Sequence, residues 1–352
     1  MNQNENRYNY YPHSTHGRGY NIAMSLLWCA VYIGIFILFQ FLTSIIFSFG
    51  ASFKVTFSAI LNGNAMTDSD IKALQDALTD GLLRASNSVS IISALCTLAT
   101  VLLITDLRTR DIPRALEIRK INPVSIPILI VFAIGLSMAV SLFLSAIPFP
   151  DSWKGSYDDG ISTISEGNAI VAFISTVIVA PIIEEVVFRA LAYKMLRRSL
   201  PKIAAMTIVS AVFGALHGTI IWFLYAFVIG MLLCWLFERY HSILANIIVH
   251  MTFNLIGSNA DLLDKVNPVV LNALCIFFVL ALVPCTVYII RTTKKPDFIS
   301  VPPLDVDDEY SPHDDDDKEE FFGGNRDDGN NHGNNDRNNG NGASPDLLDF
   351  FR

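Results

Sequence analysis

Long apolar runs separated by short polar connections form the main pattern of this sequence. Eight such runs are present, and a helix needs about 20 predominantly apolar residues to cross the hydrocarbon core of a bilayer. The pattern therefore predicts an all-α fold, a polytopic transmembrane bundle of about eight helices. Three runs are short, so a half-spanning or re-entrant helix near Gly218 is an alternative there. The runs are 22–49, 88–105, 126–147, 169–193 and 269–290, with the short ones at 203–217, 220–237 and 243–256.

Composition supports a membrane protein and separates the membrane body from an acidic tail. Hydrophobic residues make up 52% of the 352 residues and charged residues only 16%, a balance typical of membrane spans. Residues 296–352 contain 16 of the 33 acidic residues and 4 of the 25 basic ones. The formal net charge of −8 therefore comes from the tail, and the body is mildly basic. Membrane lipid is the expected surrounding, and no nucleic-acid partner is predicted.

Basic residues cluster in alternate connections and set the predicted orientation. Lys and Arg lie near 108–120, 194–202, 239 and 291–295, whereas the connections at 151–166 and 261–264 are acidic. Because Lys and Arg mark cytoplasmic loops, both termini are predicted to be cytoplasmic. The short loops and the Asn-rich tail favour a bacterial origin. The prediction is a multi-pass protein of a bacterial plasma membrane.

The sequence divides into five predicted segments. The polar arm 1–20 and the acidic, Asn/Gly/Asp-rich tail 296–352 are predicted to be disordered. Between them lie N-terminal transmembrane helices (21–167), a catalytic core (168–257) and a last transmembrane helix (258–295).

Two further features belong to the parts outside the predicted core. Between the first two helices, apolar residues recur at helical spacing over 67–82, which predicts an external amphipathic helix or, alternatively, a substrate gate. The end of the tail, 345–352, mixes apolar and acidic residues. It is either a docking motif for a partner or an inert solubilising end.

The stretch from Pro181 to Arg189 places two carboxylates and a guanidinium inside an apolar run. Each such charge costs roughly 2.5–3.5 kcal/mol at a helix centre on insertion scales, so pairing, water or a function has to offset it. Glu185 and Arg189 are four residues apart and share a helix face, which predicts a structural ion pair. Glu184 is rotated about 100° away and is predicted to act as a general acid or base. The alternative for Glu184 is a plain hydrogen-bond acceptor within the bundle.

Pro181 lies just upstream of the two glutamates. Its ring removes one backbone hydrogen bond, which predicts a free carbonyl at Thr176 or Val177 and a kink in the helix. The kink is expected to open the wall of the bundle beside Glu184 and to make room for water.

Two later helices also carry polar groups at membrane depth. His217 follows Phe213 by four residues, and Asn254 follows His250 by four residues on one helix face. A single intramembrane His or Asn is commonly a hydrogen-bonding contact between helices. Three helices that each present such groups favour a site, because one Glu, two His and one Asn suffice to activate a water and stabilise an oxyanion.

Taken in order, these three motifs resemble those of the CPBP family. This is the CAAX protease and bacteriocin-processing group, also called Abi, of intramembrane proteases. The resemblance covers about residues 168–257, and the order of the motifs on successive membrane helices is more specific than any one motif alone. The residues that carry it are Glu184, Glu185 and Arg189 in Glu-Glu-x-x-x-Arg, Phe213 and His217 in Phe-x-x-x-His, and His250 and Asn254 in His-x-x-x-Asn.

The resemblance implies an intramembrane endopeptidase that hydrolyses peptide bonds of membrane-embedded or lipidated peptides and proteins. It implies that Glu184 and His217 activate a water and that His250 and Asn254 bind the tetrahedral oxyanion. This glutamic mechanism requires no cofactor. The alternative is a metalloprotease in which Glu184, His217 and His250 hold one zinc-like divalent ion. The sequence contains no His-Glu-x-x-His motif and offers no Cys ligand, so the metal-free mechanism is favoured.

Two other function classes remain open at the level of sequence. One is a non-catalytic membrane protein that confers immunity or binds a peptide, although such a scaffold has no need of His217, His250 and Asn254 together. The other is a proton-coupled transporter, since intramembrane Glu and His also form proton relays. Transporters often contain two pseudo-repeated halves, whereas the polar groups of this chain lie only in its second half.

Overall fold

The computed structural model describes residues 18–61, 68–259 and 265–293, and every regular element within these ranges is a helix. The predicted disorder of the N-terminal arm and of the tail falls outside these ranges and stays a prediction. The helices are α1 (Arg18–Leu61), α2 (Asp68–Thr109), α3 (Ile112–Ala115), α4 (Ser125–Ala146), α5 (Asp151–Ser165), α6 (Ala169–Arg197), α7 (Lys202–Ala215), α8 (Ile220–Tyr240), α9 (Ile243–Gly257) and α10 (Pro268–Thr292).

The prediction of an all-helical membrane bundle is confirmed. Within the described ranges, six helices are long and apolar enough to cross a bilayer, namely α1, α2, α4, α6, α8 and α10. Two shorter apolar helices, α7 and α9, have 14 and 15 residues. Each of the eight apolar runs therefore forms a helix. The protein is a multi-pass membrane protein.

Two connections differ from their prediction. The segment 68–82, predicted as a separate amphipathic helix, is the first part of the 42-residue helix α2, because no proline interrupts the chain between them and the single Gly81 is tolerated within a helix. The acidic connection 151–166, treated as a loop, contains helix α5. Its half-buried stripe consists of Trp153, Tyr157, Gly160 and Ile164, which recur at helical spacing but are outnumbered by polar residues.

Buried ion pairs tie the basic connections together at one end of the bundle. Lys194 Nζ lies 3.0 Å from Glu117 Oε1, and Arg197 Nε lies 2.7 Å from Glu238 Oε1. Tyr193 donates its hydroxyl hydrogen to the same Glu238 oxygen at 2.6 Å. The connections whose Lys and Arg residues set the predicted orientation thus meet at one end.

The acidic connections meet at the opposite end of the bundle. Asn87 of α2 is buried and donates from Nδ2 to the carbonyls of Ile164 and Glu166, at 2.9 and 3.3 Å. Trp222 of α8 packs on α5, where its ring lies edge-on to Tyr157 with centroids 6.0 Å apart. Helix α5 therefore lies across the start of α8 at this end.

Helices α4, α8, α9 and α10 enclose an apolar core of the bundle. Its buried residues are Leu129, Phe132, Ala133, Leu136, Ile229, Leu233, Leu236, Ala245, Val249, Cys285 and Ile289. The outer face of α10 is exposed, with Ile276, Phe277 and Leu280 each at least 60% accessible. In a bilayer that face contacts lipid, so its exposure carries no penalty.

Gly214 and Gly218, four residues apart, have different roles. An ideal Cβ on Gly214 would lie 3.0 Å from the carbonyl oxygen of Phe223, so this glycine permits the close approach of α7 and α8. Gly218 has open space around it and a φ of 86°, a value that favours glycine in the turn between the two helices. The turn at 216–219 makes α7 and α8 a helical hairpin.

Replacing Gly160 with Val is expected to loosen helix α5. A Cβ at Gly160 would lie 2.5 Å from the Trp222 ring, and such overpacking costs about 1–3 kcal/mol. Gly155 in the same helix has nothing within 4 Å, so Gly155→Val carries the same change in helix propensity without the clash. Hydrogen exchange of 151–165 should accelerate in Gly160→Val only. Equal protection in both variants would contradict the packing of α5 on Trp222.

Candidate active site

Helix α6 contains the charged stretch and includes two π-helical segments around it. It is π-helical over Ile174–Val179, α-helical over Ala180–Glu184 and π-helical again over Glu185–Tyr193. Wide turns of this kind occur frequently at functional sites. The first π-helical segment ends just before Pro181, which lacks a backbone N–H to continue the ladder. Glu184 and Glu185 therefore lie at a junction between two windings.

Glu185 is fully buried and accepts hydrogen bonds on both carboxylate oxygens. Arg189 Nη1 lies 2.9 Å from Oε1, the pair that their spacing predicts, and neither side chain is exposed. His250 Nδ1 reaches the same oxygen at 2.8 Å, and Asn246 Nδ2 reaches Oε2 at 3.0 Å. Glu185 thus contacts two residues of α9 as well as Arg189. A structural ion pair is therefore too narrow a description of this carboxylate.

Glu184 faces a different side of the helix and is partly accessible. Its side chain is 18% exposed, and its Oε2 lies 3.5 Å from His250 Nε2. This separation is longer than a direct N–H···O hydrogen bond, which spans 2.7–3.2 Å. His250 therefore lies between the two glutamates, with Nδ1 held by Glu185 and Nε2 turned toward Glu184.

His217 lies at the C-terminal end of α7 and packs on Phe213. Its Nδ1 is 2.7 Å from the Phe213 carbonyl oxygen, and because a carbonyl only accepts, Nδ1 carries the hydrogen. The Phe213 ring contacts both histidines, with centroid distances of 4.7 Å to His217 and 6.0 Å to His250. It also lies 4.4 Å below the guanidinium of Arg189. Phe213 is thus the shared packing surface of the site.

The four residues predicted as catalytic are brought to one region but are not all in contact. Glu184 and His250 approach each other, whereas no hydrogen bond or ion pair joins His217 to Glu184, both of which belong to the described part of the chain. Asn254 Nδ2 donates to the Thr176 carbonyl at 2.9 Å, one of the two carbonyls that Pro181 is predicted to free. Asn254 has a second amide hydrogen that this contact does not use.

The alternative metal set of Glu184, His217 and His250 is supported by the orientation of the two histidines but not by the spacing of the three side chains. Both histidines hold Nδ1 against an oxygen, Phe213 O and Glu185 Oε1 respectively, which is how metal-binding histidines are commonly oriented. Among the described residues, however, no three His, Cys, Asp or Glu side chains are gathered as a ligand group for one ion. Imidazole and carboxylate groups are suitable metal ligands, but these three side chains do not lie close enough together to bind one ion. The metal-free mechanism stays a prediction.

Asn246 is a residue of the site that is not among those predicted from the sequence. It is buried on α9, four residues before His250, and it contacts Glu185. The spacing Asn-x-x-x-His-x-x-x-Asn places Asn246, His250 and Asn254 on one helix face and is the signal that could have indicated it. A buried Asn within an apolar helix resembles an ordinary interhelical contact, so its partner could not be inferred.

Comparison with known proteins identifies the segment that contains this site. Residues 166–256 match the family described as type II CAAX prenyl endopeptidase Rce1-like. No curated protein and no solved structure matches the chain. The matched segment is roughly a quarter of the chain and includes Glu184, Glu185, His217, His250 and Asn254. Over residues 166–256, this chain is therefore similar to the Rce1-like family of CAAX-type proteases.

Proposed function

We propose that the protein is an intramembrane endopeptidase that cleaves a peptide bond of a membrane-associated, lipidated substrate by means of an activated water. The observation that carries this proposal is the placement of His250 between two carboxylates inside a bundle of membrane helices. Glu184, the partly exposed one, lies 3.5 Å from Nε2, and Glu185, the buried one, lies 2.8 Å from Nδ1. A scaffold without chemistry has no use for an accessible carboxylate held against an oriented imidazole.

Glu184 is the base in this proposal. Its partial exposure lets a water reach it, and a carboxylate that removes a proton from a positioned water contributes about 10²–10⁴-fold to a rate. His217 assists, because its Nδ1 hydrogen is used by the Phe213 carbonyl and its Nε2 lone pair remains to accept a hydrogen from the same water. Together the two groups orient the water for attack on a peptide carbonyl.

His250 and Asn254 bind the oxyanion in this proposal. Because a carboxylate only accepts hydrogen bonds, Nδ1 of His250 carries a hydrogen toward Glu185. Nε2 lies 3.5 Å from Glu184, too far for a direct hydrogen bond, and this role requires it to carry a hydrogen as well. Nε2–H is then a donor to the oxygen that becomes negative when water adds to the carbonyl. The unused amide hydrogen of Asn254 is the second donor. Fixed donors of this kind stabilise the transition state without reorganisation.

The substrate class follows from the family and from the location of the site. The family description names a CAAX prenyl endopeptidase, and a CAAX sequence is a C-terminal motif whose cysteine carries a prenyl chain. A site lined by transmembrane helices suits a substrate whose lipid chain lies in the bilayer. We place the basic end of the bundle in the cytoplasm of a bacterium, with both termini on that side.

Purified protein in lipid nanodiscs, incubated with a farnesylated CAAX peptide, tests this function. We expect cleavage of the farnesylated peptide and little cleavage of the same peptide without its lipid, as measured by mass spectrometry. We expect the activity to survive treatment with a strong chelator. Loss of activity that zinc restores would replace the glutamic mechanism by the metal-dependent one. Tight binding without any cleavage would contradict the protease and favour a non-catalytic peptide-binding protein.

A further inference from the structure

Asn246 connects three helices at the buried side of the site. Its side chain is fully buried, and Nδ2 donates to Glu185 Oε2 on α6 at 3.0 Å and to the Leu233 carbonyl on α8 at 2.8 Å. An amide NH₂ has two hydrogens, so these two contacts use both. The position of the amide nitrogen is therefore fixed by acceptors on two neighbouring helices.

The two oxygens of Glu185 have different numbers of donors. Oε1 faces Arg189 Nη1 and His250 Nδ1, while Oε2 faces Asn246 Nδ2. Without the amide, Oε2 would have no hydrogen bond, in a place that water does not reach. An unsatisfied buried oxygen is unfavourable, so the carboxylate would turn to share its remaining donors. Such a turn moves Oε1 away from His250 Nδ1.

We propose that Asn246 is a positioning residue that acts on His250 through Glu185. It holds the plane of the Glu185 carboxylate, the carboxylate fixes Nδ1 of His250, and the imidazole then presents Nε2 toward Glu184. In metal sites, residues that orient a histidine ligand in this indirect way typically change metal affinity or activity by 10–100-fold when they are replaced, and we expect a loss of the same order here. The kinetic part of this proposal rests on the proposed protease function, whereas the orientation of His250 does not.

The chemistry of the position requires an amide. Leucine has a similar volume but no donor for Glu185 or for the Leu233 carbonyl. Aspartate has the same shape but would place a second carboxylate against Glu185 and would face a carbonyl with an oxygen. Serine retains one hydroxyl donor on a shorter side chain, so it cannot serve both acceptors.

Histidine ring signals measured by ¹⁵N NMR test the positioning directly. The full-length protein, labelled at its seven histidines, is compared in lipid as wild type, Asn246→Leu and Asn246→Ser, and the His250 signal is assigned by its loss in His250→Gln. We expect both Asn246 variants to shift the His250 ring nitrogens and to leave the His217 signal in place. An unchanged His250 signal in a folded variant would overturn the proposal. If Asn246→Leu does not fold, the His250 signal in Asn246→Ser provides the test.

Kinetics with a lipidated peptide supply the second readout. In Asn246→Ser we expect kcat to fall about 10–100-fold and KM to stay within about twofold, since Asn246 has no access to the substrate. Asn87 is the matched control, because it is also buried and donates from Nδ2 to two carbonyls, those of Ile164 and Glu166. Asn87→Ser should leave kcat and the His250 signal unchanged.

The two measurements separate failure of this inference from failure of the proposed function. If wild-type protein cleaves no peptide but the His250 signal shifts in the Asn246 variants, the protease is wrong and the positioning stands. If wild-type protein cleaves the peptide and Asn246→Ser changes neither kcat nor the His250 signal, the positioning is wrong and the protease stands. A loss of kcat that Asn87→Ser shares would show a general structural effect and would also overturn the inference.

Discussion

Replacement of Glu184 by Gln is expected to lower the rate of peptide cleavage by about 10³-fold, within the range that general bases contribute. Glutamine has the shape of glutamate but its amide cannot take a proton from water. Because Glu184 is 18% exposed and its contact with His250 is as long as 3.5 Å, the substitution should not disturb folding. The measurement is the single-turnover rate with a lipidated peptide in nanodiscs.

A control for Glu184→Gln is Glu166→Gln. Glu166 is an exposed glutamate at the acidic end of the bundle, where its backbone carbonyl accepts from Asn87. Its substitution removes one negative charge without touching the site, so the cleavage rate should stay within about twofold of wild type. If the Glu184→Gln variant binds the peptide and cleaves it as fast as Glu166→Gln does, Glu184 is not the base.

Replacement of Arg189 by Met is expected to destabilise the protein by about 3–5 kcal/mol, since it removes the guanidinium that pairs with the buried carboxylate of Glu185. Neither Glu185 nor Arg189 is exposed, and their atoms are 2.9 Å apart. Further substitution of Glu185 by Gln removes the stranded charge, so the double variant should recover much of the loss in stability. It should remain inactive, because the contact that orients His250 has changed. The measurement is reversible unfolding in mixed detergent micelles.

The exposed pair of Asp80 and Arg84 offers a matched control for the buried pair. These residues have the same i, i+4 spacing and an N–O distance of 3.0 Å, with side chains 53% and 65% exposed. Exposed pairs contribute about 0–1 kcal/mol, so Arg84→Met should change the free energy of unfolding by no more than that. Equal losses for Arg84→Met and Arg189→Met would mean that burial does not govern the Glu185–Arg189 pair.

Features that depend on one helix could be predicted from the sequence. The eight apolar runs predict the helices because burial in lipid requires runs of that length. The spacing of Glu185 and Arg189 predicts their contact because residues four apart share a helix face. The separate environments of Glu184 and Glu185 follow from the same geometry, and so does the shared face of His250 and Asn254.

Features that depend on how helices pack could not be predicted from the sequence. Nothing in the spacing of α6 and α9 indicates that His250 lies between Glu184 and Glu185 or that Asn246 donates to Glu185. The resemblance assigns His217 and Glu184 to the same water, whereas the contacts of His217 are with Phe213 of its own helix. Such contacts depend on the register and crossing angle of the helices, and neither can be inferred from the residue pattern of a single sequence.

The backbone around Pro181 lies between these two cases. Proline predicts a freed carbonyl at Thr176 or Val177 because its ring removes one donor. A π-helical segment precedes Pro181, and the hydrogen bond from Asn254 to the Thr176 carbonyl depends on the approach of α9. The proline thus predicts that a backbone carbonyl of α6 lacks its helical donor. The packing of α9 determines which side chain donates a hydrogen bond to that carbonyl.

In the function proposed above, Glu184 and the residues around it hydrolyse a peptide bond with water. The most direct test is the mass of the product formed from a farnesylated CAAX peptide in water enriched in ¹⁸O, with wild-type protein in nanodiscs. We expect a cleaved peptide whose new carboxyl group carries one ¹⁸O, and no such product with Glu184→Gln. Intact peptide with wild-type protein, or the same labelled product at the same rate with Glu184→Gln, would contradict it.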